Sequence, residues 1–239
     1  MINTYNESSL HKTFKTLYSQ EYDGQTEVEL FGHIYDIAAK NLVIEIQTQN
    51  LSKLLSKALD AFDHGYKVKI VYPLVEHKWI ETSDENGNLL SKRKSPVTKS
   101  IYDLFDEITG LYPILLNKNF SLDVIKVHTI EKRIKYDELK QTQNKSRRFR
   151  KNWLKNGKEV KEIFDTRTFS TKKDYLNLIP KAALPEFSAK DLSKAIKEDK
   201  TLPSSASKKA HIIIWVLRHM ELIEETEIKN RSHYYKIKK

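Results

Sequence analysis

The stretch HIYDIAAKNLVIEIQTQNLSKLLSKALDAFDHGYKVKIVYP, residues 33–73, decides the fold. Residues 33–39 and 42–48 are rich in the β-branched and aromatic residues that favour strands. Lys40-Asn41 between them is short enough for a tight turn, although it is a weaker turn signal than Asn-Gly. The two segments therefore predict a β-hairpin.

A helix and a further strand are expected after the hairpin. We expect Asn50 to cap a helix over residues 51–64, whose apolar residues form one stripe, and residues 66–73 to form a strand. A helix at residues 6–19 and a strand at 26–31 precede the hairpin. The order helix, three-strand meander, helix, strand predicts an α/β fold.

Two carboxylates of the hairpin are predicted to lie side by side. With the turn at Lys40-Asn41, Asp36 faces Glu45 on the neighbouring strand, and Glu45 shares its side of the sheet with Gln47. Opposed carboxylates cost stability unless a cation binds between them, and such hard oxygen ligands suit magnesium. A metal site is one interpretation, and solvated polar positions on an exposed sheet face are the other.

This arrangement resembles the core of the PD-(D/E)xK nuclease superfamily, which includes type II restriction endonucleases. The resemblance rests on Asp36, on Glu45-Ile46-Gln47 in the next strand, and on the helix and strand that follow, and it covers roughly residues 6–75. It implies a restriction-endonuclease-like mixed sheet flanked by helices. It also implies a DNA endonuclease that depends on Mg²⁺ or Mn²⁺.

The resemblance assigns roles to individual residues. Asp36, Glu45 and the carbonyl of Ile46 would hold the metal ion. An acid from the first strand or the first helix, Glu27 or Glu7, would complete the catalytic site.

Gln47 departs from the family pattern, because it stands where the family usually has a lysine. A glutamine can hydrogen-bond to water or phosphate, but it brings no positive charge. On the following helix, Lys57 flanks the apolar stripe whereas Lys53 points away from it, so Lys57 is the candidate substitute. If neither Gln47 nor Lys57 serves, the domain binds DNA without cutting it.

The composition favours a polyanionic partner inside the cell. The net charge is +10 and the pI is about 9.4, an excess that is typical of nucleic-acid-binding proteins. There is no cysteine, which excludes disulfides and thiolate-bound zinc. We expect a cytoplasmic protein without membrane contact, since no stretch approaches roughly 20 apolar residues and the opening residues lack an apolar signal segment.

A polar and basic stretch follows residue 140, and we place a domain boundary there. The nuclease-like domain is predicted at residues 1–140 and a basic connecting segment at 141–170. Residues 145–161 contain eight basic side chains against one acid, with Phe149 and Trp153 interleaved, a pattern that can follow phosphates. The candidates for nucleic-acid contact are Arg147, Arg148, Arg150 and Lys151. A solvated linker is the alternative.

The C-terminal part, residues 171–239, has the order helix, helix, hairpin, which predicts a small winged-helix-like domain. Ser188 and Asp191 have the spacing of a capping box. In winged helices the second helix and the hairpin contact DNA, and the candidate contacts are Lys208, Lys209, Arg218, Lys229 and Arg231. A domain that only packs against the first one is the alternative.

Three functions are compatible with these features: a magnesium-dependent DNA endonuclease, a non-cleaving DNA-binding protein with a degenerate site, and a structural or interaction protein. The choice between DNA and RNA stays open, as does a homodimer. Four histidines show no metal-ligand spacing and are expected at the surface or in the core, namely His11, His33, His64 and His77.

Overall fold

The computed structural model describes residues 9–141 and 150–238. Seven strands form one mixed sheet: β1 (Gln25–Leu30), β2 (His33–Ala39), β3 (Leu42–Ile46), β4 (Lys67–Ser83), β5 (Leu89–Lys94), β6 (Phe120–Gln141) and β7 (Arg150–Phe169). Their order is β1-β2-β3-β4-β6-β7, and β5 pairs with the outer half of β4. Helices flank this sheet, so the fold is mixed α/β as the sequence predicted.

The hairpin predicted from Lys40-Asn41 is confirmed. Ala39 pairs with Leu42, and Lys40 adopts the positive φ of 51° that a tight turn requires. Strand β3 then runs parallel to β4, and β4 runs parallel to β6. The carboxyl ends of these strands therefore point in one direction.

Helices cover both faces of the sheet. They are α1 (Ser9–Glu21), α2 (Leu55–Asp63), which follows a 3-10 turn at Leu51–Leu54, and α3 (Leu104–Ile108). On one face, Phe14 of α1 packs with Ile44 and Ile46 of β3. Val43 of β3 belongs to the other core, which includes Ala58 of α2. Alternation along β3 thus divides the buried side chains between the helices.

The expectation that Asn50 caps a helix is wrong. Asn50 lies in the left-handed region with φ of 57°, and its side chain makes no capping hydrogen bond. Its backbone N–H instead donates to the carboxylate of Glu107 on α3, at 2.6 Å. The partner is 57 residues away in sequence, so local capping rules did not predict this contact.

Strands β4, β6 and β7 continue far beyond the end of β3. Pairing of β4 with β6 reaches Ser83↔Ile134, and pairing of β6 with β7 reaches Gln141↔Arg150. Together with β5 these segments form a four-stranded extension, which we call the distal arm (residues 76–94, 128–141 and 150–163). No helix in the described ranges is long and apolar enough to cross a membrane.

Most of the segment at residues 141–170, which was expected to be a connecting segment, is a strand in the structure. Arg150–Phe169 is a strand of the main sheet, paired with β6 along its length. A basic, solvated strand has the composition of a linker, and only its pairing with a distant strand identifies it. The first structural unit therefore extends to Phe169 rather than ending at residue 140.

The C-terminal unit contains α4 (Lys172–Leu176), β8 (Glu186–Ser188), α5 (Ala189–Glu198), α6 (Ala210–His219), β9 (Ile223–Lys229) and β10 (Ser232–Ile237). Its three strands have the order β8-β10-β9. The capping box is confirmed, because the Asp191 N–H donates to Ser188 Oγ and the Ser188 N–H donates to the Asp191 carboxylate. The unit packs on α3, and the Tyr102 hydroxyl donates to the Leu178 carbonyl at 3.0 Å.

The cover that α1 provides can be tested by truncating its buried aromatic residue. Phe14 is 1% exposed, whereas Leu17 on the same helix is 43% exposed. Phe14→Ala should lower the free energy of unfolding by about 3–5 kcal/mol, and Leu17→Ala by only about 0.5 kcal/mol. Urea titration measures both, and equal losses would show that α1 is not packed in this register.

Candidate functional site

Asp36 and Glu45 meet where the pairing of β2 with β3 stops. The last ladder pair joins Ile37 to Ile44. Beyond it, the Ile46 N–H donates to Asp36 Oδ2 at 2.8 Å, and the Asp36 N–H donates to Glu45 Oε1 at 3.1 Å. Two side-chain bonds thus replace the next backbone bonds and hold the carboxylates next to each other.

Helix α1 supplies cationic groups to Asp36. His11 Nε2 lies 3.1 Å from Asp36 Oδ2, and Lys15 Nζ lies 3.8 Å from Asp36 Oδ1. Lys15 also forms an ion pair with Glu27 of β1. Glu27, predicted as an additional acid, is therefore connected to Asp36 through Lys15.

Helix α2 supplies a cation to Glu45. Lys57 Nζ lies 2.5 Å from Glu45 Oε1 and 4.5 Å from the centre of the Tyr35 ring. It also donates to the backbone carbonyl of Ile34. Lys53, four residues earlier on this segment, is exposed. The apolar stripe of α2 thus points Lys57 at Glu45, which is the position expected of a substitute lysine.

The two carboxyls have opposite pKa shifts. Burial alone would raise the pKa of Asp36, but the hydrogen bond and charge of His11, the Ile46 N–H and Lys15 lower it below its ordinary value. Burial and the charge of Asp36 raise the pKa of Glu45 to about 7, more than Lys57 offsets. The pair therefore holds one ionised carboxylate beside a carboxyl that gains or loses a proton near neutrality.

This donor set fits a divalent cation. Carboxylate oxygens are the ligands that Mg²⁺ prefers. The charge of Asp36 disfavours a second negative charge on Glu45, and a cation between them would remove that cost. Three basic side chains, those of His11, Lys15 and Lys57, would compete with it.

Two further residues, Gln47 and Glu7, were predicted to take part in catalysis. The Gln47 side-chain amide donates to the Gln49 carbonyl at 2.7 Å, so it is bonded within its own loop. Glu7 lies outside the described residues, as do Arg147 and Arg148. His11 was expected to be an ordinary surface or core histidine, but it contacts Asp36. The apolar spacing of α1 was the sequence signal for this contact, because it sets how the helix is oriented on the sheet.

Two of the predicted DNA contacts line a groove in the C-terminal unit. Lys208 and Arg231 border a groove of about 870 Å³ between α5, the start of α6 and β10. Three further basic side chains line this groove, all on α5, and none was among the predicted contacts: Lys190, Lys194 and Lys197. Their spacing of three to four residues is the signal that places them on one helix face.

The other three predicted DNA-contact residues of the C-terminal unit form ion pairs with acidic side chains. Lys209 forms ion pairs with Asp106 and, at 3.4 Å, with Asp103, so it joins the C-terminal unit to α3. Arg218 lies 3.7 Å from Glu225. Lys229 is paired with the neighbouring Glu227. These pairs reduce the positive charge that the three side chains offer to a nucleic acid.

The distal arm concentrates positive charge. Two cations contact the Trp153 ring, with Arg133 Cζ at 3.7 Å and Lys151 Nζ at 4.4 Å from its centre. Burial and the nearby charge of Lys78 lower the pKa of Lys158 to about 8. A half-buried lysine among other cations has an unfavourable charge that a bound anion would stabilise. Arg150, at the end of β7, is exposed.

Comparisons with known proteins give a family but no activity. A family model described as "Domain of unknown function (DUF8091)" matches residues 8–170. An uncharacterised protein of Treponema pallidum (strain Nichols) is 32% identical over 129 residues, which are 54% of this chain and 51% of that protein. The chain thus spans about half the length of that relative. No solved structure matches.

The raised pKa of Glu45 predicts a pH-dependent stability. In the absence of metal, the protonated carboxyl stabilises the folded state, fully below pH 4.5, and this contribution is lost as the pH rises to about 7. Glu45→Gln imitates the protonated form. Urea titrations in a chelator should show the variant gaining stability over wild type across that interval and no further above it. A difference that stays constant with pH would contradict the assignment.

Proposed function

The chain belongs to the DUF8091 family, and we propose that it is a magnesium- or manganese-dependent DNA endonuclease of PD-(D/E)xK type. One observation carries this proposal: Asp36 and Glu45 meet at the end of a hairpin with Lys57 2.5 Å from Glu45. The resemblance implies these three roles in this order of elements.

The chain's own groups would divide the work of hydrolysis. Asp36 and Glu45 would hold the metal, with the carbonyl of Ile46 as a further ligand. When bound, the metal supplies an activated water and stabilises the charge that develops on the phosphate. Lys57 brings the positive charge that Gln47 cannot, and His11 keeps Asp36 ionised.

The substrate is proposed from charge and from the C-terminal unit. The order α4-β8-α5-α6-β9-β10, with β10 between β8 and β9, resembles that of a winged helix and supports this proposal. In such domains the second helix enters the major groove and the hairpin touches the backbone. Lys208 and Arg231 line the groove between these elements. With a net charge of +10, these features favour DNA as the substrate.

A non-cleaving DNA-binding protein is the second candidate, and two observations favour it. Gln47 stands at the lysine position with its amide bonded to Gln49. Asp36 and Glu45 are already paired with His11, Lys15 and Lys57. In that case the ion pairs stabilise the hairpin without a metal, and the winged-helix-like unit reads the DNA.

Metal binding separates the two candidates before any cleavage is measured. Calorimetry should show Mg²⁺ binding to wild type and none to Asp36→Asn, because the variant loses one of two carboxylate ligands. Affinity should increase as the pH rises through about 7, since Glu45 must lose its proton to coordinate. Equal binding by both proteins would exclude this site.

Cleavage tests the catalytic roles directly. With Mg²⁺ and a DNA duplex, Glu45→Ala should abolish hydrolysis, and Lys57→Ala should reduce its rate by about 10²-fold, the lower range for a helper group. Lys53→Ala, an exposed lysine of the same segment, is the matched control and should cut as wild type does. Gln47→Lys should preserve or raise the rate because it restores the family's usual residue.

Two outcomes would reject the nuclease. If wild type binds DNA but cuts neither DNA nor RNA with either metal, the binding protein is the correct assignment. If Glu45→Ala cuts as fast as wild type, the cleavage arises from another site or from a contaminant.

A further inference from the structure

A β-bulge brings two histidines and a glutamate together at the base of the distal arm. The pairing of β4 with β6 shifts between Val75 and His77, which leaves Glu76 as the extra residue and sets His77 opposite His128. His128 in turn pairs with Glu162 of β7. Bulges re-aim side chains and are common beside functional sites.

The ligand atoms of Glu76, His77 and His128 lie close enough to bind one ion. All three lie within 4.8 Å of one another, and His128 Nε2 is 3.5 Å from Glu76 Oε2. Tetrahedral zinc with bonds of about 2.0–2.2 Å sets neighbouring ligand atoms roughly 3.3 Å apart. Small side-chain rotations would therefore complete the site.

His128 has the hydrogen bonding of a metal ligand. Its Nδ1 lies 3.1 Å from the Glu162 carboxylate, so Nδ1 carries the proton and donates it to that acceptor. Its Nε2 is buried and has no hydrogen-bond partner among residues 9–141 and 150–238. A carboxylate that orients an imidazole whose other nitrogen is free to coordinate is the usual outer shell of a histidine–metal site.

We propose that Glu76, His77 and His128 bind a divalent transition-metal ion of the zinc class, with Glu162 orienting His128. Imidazole ligands favour zinc over magnesium, so this site differs in chemistry from the carboxylate pair Asp36 and Glu45. Three protein ligands leave a coordination position open. The side chains of Glu76 and His128 are 24% and 17% exposed, so the ion reaches the site from solvent.

Local charge is compatible with a cation. Lys126 Nζ lies 3.7 Å from Glu76, but it also lies 3.8 Å from Asp165. When the metal takes Glu76, Lys126 keeps Asp165 as its partner. The ion would join β4 to β6, and through Glu162 to β7, at the point from which the arm extends.

Zinc titration of the full-length, chelator-treated protein tests the site. An excess of Mg²⁺ is present to occupy the carboxylate pair. Calorimetry should show one equivalent of Zn²⁺ bound to wild type and to Asp36→Asn, which makes the result independent of the proposed nuclease. Cobalt should give the visible absorption of a tetrahedral site.

The variants identify the ligands. Glu162→Gln should weaken Zn²⁺ binding by about 10- to 100-fold, as loss of an orienting carboxylate does, and His128→Gln should weaken it further. His64→Gln, an exposed histidine away from the bulge, is the control and should bind as wild type does. Melting curves in chelator establish that each variant folds, and Glu76→Gln replaces His128→Gln if the latter does not.

Two results would overturn the proposal: wild type binds no Zn²⁺, or His128→Gln and Glu76→Gln bind it as tightly as wild type does.

Discussion

The exchange of hydrogen bonds between Asp36 and β3 is the constraint on which the rest of the site depends. A carboxylate takes the Ile46 N–H that a backbone carbonyl would otherwise accept. The strand pair therefore ends at Ile37↔Ile44, and both acids are fixed by backbone donors rather than by flexible contacts alone. Buried carboxylates are tolerated only when paired and hydrogen-bonded, so the surrounding helices must supply cations.

On each face of the sheet, one helix supplies cationic side chains to one of the two acids. The buried stripe of α1 that contains Phe14 also sets His11 and Lys15 against Asp36. Helix α2 does the same for Glu45 through Lys57. The result is a pair of neighbouring carboxyls in different electrostatic environments, an arrangement that separates their pKa values. The packing of the two helices on the sheet therefore also positions the charged side chains of this site.

The same sheet carries a second arrangement of polar groups farther along β4. Past the end of β3, β4 is paired with β5 and β6, and these strands continue as the distal arm. There the bulge at Glu76 changes which side chains face each other and sets His77 opposite His128. Strand β4 thus pairs with β3, which carries Glu45, and farther along carries Glu76 and His77.

Local sequence was sufficient for the strands and the helix of residues 25–73 and for the turn of the first hairpin. The turn at Lys40-Asn41 sets Ala39 opposite Leu42 and Ile37 opposite Ile44, and Asp36 and Glu45 lie one residue beyond this last pair. The stripe of α2 likewise pointed Lys57 toward the sheet, and the capping box at Ser188 located α5. These features depend on neighbours in the chain, so the amino-acid sequence alone determined them.

Only the tertiary structure decided the contacts between distant segments. Arg150–Phe169 has the composition of a linker and becomes a strand because β6 offers it a partner. Lys209 was predicted to contact DNA, but it forms ion pairs with Asp103 and Asp106. His77 and His128 lie 51 residues apart and meet through parallel pairing with a bulge, which no spacing rule contains. Register between non-adjacent strands is set by packing of the whole sheet, and so it is absent from any local pattern.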